Sequence, residues 1–165
     1  MRIGLMADTH DSLPAIARAV DRLNRERVEL VLHAGDFVSP FVIPELSALD
    51  ADLIGVYGNN DGDRGMLLKK CEESRGVEIR GFFAEVEAGE SSVALLHGHE
   101  PELLHALIES EAFDAVVYGH THRAAVSREG STLVINPGEV CGYLSGRSTV
   151  AVLDTGERNA VIIPL

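Results

Sequence analysis

The chain has 165 residues, 45% of them hydrophobic, enough for one domain with a substantial core and too little for two comfortable ones. Fourteen Lys and Arg against 26 Asp and Glu leave a net charge of −12, which argues against general binding to nucleic acid or to an anionic membrane. Only two cysteines occur, Cys71 and Cys141, without C-x-x-C spacing, and no apolar run approaches a membrane span, so a reduced, cytoplasmic single domain over 1–165 is expected.

Met1-Arg2 runs directly into apolar residues with no signal-like segment. RIGLMA (2–7), ELVLHA (29–34) and DLIGVY (52–57) read as buried strands. Between them lie helical patterns: one after Ser12-Leu13-Pro14 carrying Ile16, Ala19, Val20 and Leu23, and one after Ser39-Pro40 carrying Ile43, Leu46 and Leu49. The order β-α-β-α-β implies parallel pairing, and a third helix is expected over about 64–75. EIRGFFAEVEAG (78–89) and SSVALLHG (91–98) read as strands joined by tight turns, followed by a helix over about 101–110 and a buried strand, DAVVYG (114–119). Two hairpins close the chain, around Glu129-Gly130 and around Thr155-Gly156. Two sheets packed face to face with helices outside would bury all of these runs.

In parallel α/β folds functional groups collect beyond the carboxyl ends of strands. Those positions hold Asp8 and His10 in ADTH, Asp36 in AGDF, Asn59 and Asp61 in YGNND, His97 and His99 in LLHGH, and His120 and His122 in YGHTH. The last pair, two positions apart, would share a face if the strand continued through them. Taken singly, Asp8 is a cap, Asp36 and Asn59 are turn formers, and His97 is a strand-end histidine. Together they make a mixed nitrogen and oxygen donor set, since turns need no imidazoles. Seven ligands exceed the need of one ion once water and substrate are counted, and two ions sharing a carboxylate accommodate them.

The ordered motifs D-x-H, G-D, G-N-x-D, H-G and G-H-x-H, continuing to Asn136-Pro137-Gly138, resemble the calcineurin-like metallophosphoesterases, in particular their small single-domain phosphodiesterase branch. The resemblance implies an α/β four-layer sandwich of two mixed β-sheets flanked by helices. It further implies that Asp8, His10 and His122 hold one divalent ion, that Asn59, His97 and His120 hold a second, and that Asp36 bridges them. Mn²⁺ is the first choice of metal, with Ni²⁺, Fe²⁺, Co²⁺, Zn²⁺ or Mg²⁺ as alternatives. The implied activity is hydrolysis of a small phosphodiester by a water or hydroxide that the two ions activate.

One position departs from the wider family, which often carries a histidine at the third place of G-N-x-D. Asn60 stands there and has no proton to give at neutral pH, so no general acid carries over. Asn60, Asp61 and His99 are the remaining candidates for work on the substrate, Asp61 as an orienting group and His99 either beside the metals or against the substrate. His33 and His105 are expected to be structural, and Arg123 either reaches a phosphate or stands on the surface. The alternatives to a phosphodiesterase are a phosphomonoesterase or nucleotidase, and a protein-binding scaffold of the same fold, which an intact ligand set disfavours. A homo-oligomer is compatible with the sequence and not specified by it.

Overall fold

A computed structural model describes residues 1–165. The first half alternates strand and helix: β1 (Arg2–Met6), α1 (Leu13–Glu26), β2 (Leu30–His33), α2 (Val42–Leu46), β3 (Leu53–Gly55), α3 (Arg64–Glu73) and β4 (Val77–Ile79). The second half is strand-rich: β5 (Phe83–Ala88), β6 (Ser91–Leu96), α4 (Pro101–Glu109), β7 (Ala115–Val117), β8 (Ala125–Glu129), β9 (Thr132–Asn136), β10 (Thr149–Asp154) and β11 (Asn159–Pro164). They form a six-stranded sheet in the order β11-β10-β1-β2-β3-β4 and a five-stranded sheet in the order β5-β6-β7-β9-β8. Both sheets are mixed: β1 to β4 run parallel and so do β6, β7 and β9, while β10, β11, β5 and β8 join antiparallel.

Alternation along the strands divides the buried side chains among three interfaces. On β1, Ile3 and Leu5 face the space between the sheets, where they meet Val86, Val93, Leu95 and Val117. Met6 turns the other way, toward Ile16, Leu23, Ile43 and Leu67 of the helices on the outside of the first sheet. On the second sheet Val93 and Leu95 point inward, and Ala94, Leu96 and Val116 point out beneath Leu104, Leu107 and Ile108 of α4. Three apolar interfaces require four layers, and the order is helices, sheet, sheet, helix.

Some expectations need correcting. The stretch 78–89, read as strand, is divided between β4 and β5: β4 closes the parallel sheet beside β3, whereas β5 opens the other sheet beside β6, so Arg80 to Phe82 cross between the sheets. Gly81 and the run Phe82-Phe83-Ala84 interrupt the alternation there, but they do not tell which sheet the next strand joins. Ser12 precedes α1, but its hydroxyl makes no capping bond. Asp63 does cap α3, its carboxylate accepting from the Met66 N–H. No helix is long and apolar enough to cross a membrane.

Candidate metal centre

The carboxyl ends of β1, β2 and β3 lie along one edge of the first sheet, and those of β6, β7 and β9 come to the same edge of the second. Backbone bonds tie the loops together across the gap, Val140 donating to the Ala7 carbonyl and Cys141 to that of Asp8, while within the second sheet Gly119 donates to the His97 carbonyl. The chain turns so sharply here that Asp8, His10, Asp36, His120 and His122 all adopt positive φ, between 40° and 63°. Such conformations are costly outside glycine and persist where surrounding structure enforces them. They also overturn the strand-face account of the two histidines. β7 stops at Val117, and His120 and His122 lie in a loop whose left-handed residues aim them separately.

Glycine is required where backbones press on the candidate ligands. A Cβ on Gly58 would overlap Asp36 Oδ1 and lie 2.6 Å from the Asp36 nitrogen, and one on Gly119 would lie 2.9 Å from Asp8 Oδ2.

Asp36 is central. Its Oδ2 lies 3.4 Å from His10 Nε2 on one side and 3.4 Å from His97 Nε2 on the other. On the first side His122 Nε2 stands 3.5 Å from Asp8 Oδ1 and His10 Nε2 stands 3.9 Å from it. On the second side His97 Nε2 lies 3.0 Å from Asn59 Oδ1, with the ring of His120 5.2 Å from that of His97. Two donors bound to one ion at about 2.1 Å lie about 3.0–3.4 Å apart at octahedral and tetrahedral angles, so most of these separations suit a shared cation. The buried Asp8 Oδ1 and His10 Nε2 have no hydrogen-bond partner, a costly arrangement for a carboxylate oxygen unless a cation meets it. The donor set therefore fits divalent metal.

Electrostatics agree. Burial pushes Asp8 up to about 6, against the pull of His97 and His122, as expected for a carboxylate removed from water without a full counter-charge. Burial acts the same way on Asp36, but the bond with His97 and the two N–H groups of Asn60 outweigh it and hold Asp36 well below the usual carboxylate range. Burial pulls His97 down and the neighbouring Asp36 raises it further, so the net shift is upward. His97 Nδ1 must carry hydrogen, because it faces the Ala34 carbonyl at 2.7 Å, and this leaves Nε2 turned toward the oxygens of Asp36 and Asn59.

Residues around the donors position them. Asp61 is buried and accepts from the N–H groups of Asp36, Val38 and Gly58, so both of its oxygens are spent on the loops carrying Asp36 and Asn59. Asn60 donates to Asp36 through its backbone N–H at 2.9 Å and its side-chain amide at 2.8 Å. His99 flanks the site, its ring 5.5 Å from His97 and 6.2 Å from His120, with a buried Nδ1 that has no partner. His33, fully buried and stacked on Phe37, accepts from the Gly35 N–H and is bonded to Thr9; burial holds its pKa down near 3, so it is a neutral structural group. His105 is exposed on α4. Asn136 donates to the Gly119 carbonyl and to Thr121 Oγ1, bracing the loop of His120 and His122.

Glu139 was not among the expected residues. It is fully buried, and its Oε2 accepts from His122 Nδ1 at 2.7 Å and from the Cys141 thiol at 3.1 Å. It also accepts from the N–H groups of Tyr143, Leu144 and Ser145 and from the Ser145 hydroxyl. Burial acts to raise Glu139, and these donors overcome it and hold the acid down at about 2. A proton on Nδ1 of His122 directs the Nε2 lone pair at Asp8. The sequence signal was an acid directly after the Asn136-Pro137-Gly138 turn and directly before Val140-Cys141.

The calcineurin-like phosphoesterase superfamily domain matches residues 1–158. A phosphodiesterase of Methanocaldococcus jannaschii is 45% identical over 158 residues, covering 96% of this chain and 95% of that protein. The solved structure of an archaeal phosphodiesterase superposes with a TM-score of 0.95 at 44% identity, over 100% of both chains. Vacuolar protein sorting 29 from Cryptosporidium parvum shares the fold, with a TM-score of 0.68 at 21% identity over 99% of this chain and 96% of that one.

Proposed function

Because the chain belongs to the calcineurin-like phosphoesterase superfamily, we propose that it is a metal-dependent phosphodiesterase with a binuclear centre. Asp8, His10 and His122 would hold one divalent ion and Asn59, His97 and His120 the other, with Asp36 shared. The observation that carries this reading is Asp36 Oδ2, 3.4 Å from an imidazole nitrogen of each group. Ions held there supply Lewis acidity, which activates water as a nucleophile and offsets charge on the phosphoryl oxygens. It also explains how a protein of net charge −12 attracts an anion. Mn²⁺ is the preferred metal, since imidazole with carboxylate and amide oxygens suits a divalent ion of intermediate hardness.

The protein's own groups do the rest. Asn60 and Asp61 fix Asp36, one through its carboxylate and the other through its backbone N–H. Glu139 sets the tautomer of His122. With an amide at position 60, His99 is the titratable group left beside the donors to protonate a leaving oxygen. The test is metal content and release of p-nitrophenol from bis-p-nitrophenyl phosphate against p-nitrophenyl phosphate. Two Mn²⁺ per chain and preference for the diester are expected, and Asp36→Asn should lose most of both. Near-normal turnover with two ions in Asp36→Asn would overturn the assignment.

A further inference from the structure

Beside the metal centre, on the side of His122, lies an open cavity of about 650 Å³ whose lining includes Arg123, Arg147, Ser145 and Ser148. No Asp or Glu side chain lines it, in a chain with 26 acidic residues. Of the twelve basic side chains elsewhere, half are held in ion pairs: Arg2 and Arg22 to Glu26, Arg25 to Asp21, Lys70 to Glu73, Arg80 to Glu78, and Arg158 to Asp114. Arg123 and Arg147 enter no ion pair, and the bonds they donate come only from their backbone N–H groups. The wall of the cavity is tied to the metal centre through one group. Glu139 accepts from His122 with one oxygen and from Ser145 with the other, so a ligand and the cavity wall hang from the same buried carboxylate.

Two guanidinium groups free of ion pairs, lining one cavity with Ser148 next to a centre proposed to bind one phosphate, are suited to a second anion on the same substrate. Arginine recognises phosphate through paired N–H donors, and in so acidic a protein such a site needs its own local cations. We propose that this cavity is an anion subsite, and that the preferred substrates are phosphodiesters in which one esterified alcohol carries a second phosphate. The proposal rests on the phosphodiesterase reading above.

The matched substrates are thymidine 5′-(p-nitrophenyl phosphate) with and without a 3′-phosphate, assayed with the Mn²⁺-loaded protein. The 3′-phosphate should raise kcat/KM by about tenfold at low ionic strength, mainly through KM, and added salt should shrink the gap. In Arg123→Gln/Arg147→Gln the ratio between the two substrates should fall to about one, with Arg147→Lys retaining part of it. Circular dichroism and metal content establish that each variant is folded and loaded. If the unaltered protein cleaves both esters equally, or the double variant keeps the full ratio, the subsite is wrong while the phosphodiesterase reading stands. If the loaded protein cleaves neither ester, both readings fall together.

Discussion

Replacing Glu139 by Gln keeps the shape of the side chain and removes its charge. In the native arrangement Oε2 accepts from His122, Cys141, Tyr143 and Leu144, and Oε1 accepts from Leu144 and from the nitrogen and hydroxyl of Ser145. Whichever oxygen becomes NH₂, that group faces at least two N–H donors. Each donor left unsatisfied costs about 1–3 kcal/mol, so a stability loss of about 2–6 kcal/mol is expected in the metal-free protein. If the NH₂ faces His122, the imidazole relieves the clash by moving its proton to Nε2, the nitrogen that points at Asp8 3.5 Å away. Loss of such a support typically weakens metal binding by about 10–100-fold, equivalent to about 1.4–2.8 kcal/mol. Competition with a calibrated chelator measures both Mn²⁺ affinities, and urea denaturation measures stability. One affinity should fall and the other should hold. Unchanged affinities beside a large stability loss would refute the coupling and leave Glu139 as a loop anchor only.

In metal-free protein Asp8 titrates near 6, against 3.8 in the unfolded chain, so it binds its proton more tightly when folded; its contribution is full below pH about 4 and is lost as pH rises through about 6. The stability of wild type relative to Asp8→Asn in EDTA should therefore decline by about 3 kcal/mol between pH 4 and 7 in urea titrations, and a flat difference would contradict the burial argument. Gly58→Ala forces a methyl group onto Asp36 and should cost at least about 2 kcal/mol, lowering Tm by several degrees and reducing metal occupancy; an unaltered Tm would show that the loop has room to shift. With Asn60 bonded to Asp36 and His99 left to protonate the leaving oxygen, kcat/KM should depend only shallowly on leaving-group pKa across a series of aryl and alkyl diesters, and His99→Gln should make the dependence steep. An identical slope in both proteins would remove His99 from proton transfer.

Local patterning carried most of the architecture. Apolar runs ending in Gly and Asp turns marked the strands, and the alternating first half dictated parallel pairing, because a parallel crossover needs a helix-length connection. The candidate donors were legible for a similar reason: Asp8, His10, Asp36, Asn59, His97, His120 and His122 each follow an apolar run, and parallel strands deliver such residues to one edge. The division of β4 and β5 between two sheets left no mark, since sheet membership depends on partners distant in sequence and not on the strand's own composition. His120 and His122 were visible as a pair, but their orientation came from left-handed backbone conformations that bonds to Asp8 and Asn136 enforce from elsewhere in the chain. Glu139 is separated by 17 residues from the histidine it supports, and only the parallel pairing of β7 with β9 brings them within 2.7 Å. The kinds of side chain available for the chemistry were thus written locally, while their distances, tautomers and proton affinities arose from burial and from partners that only the tertiary fold brings together.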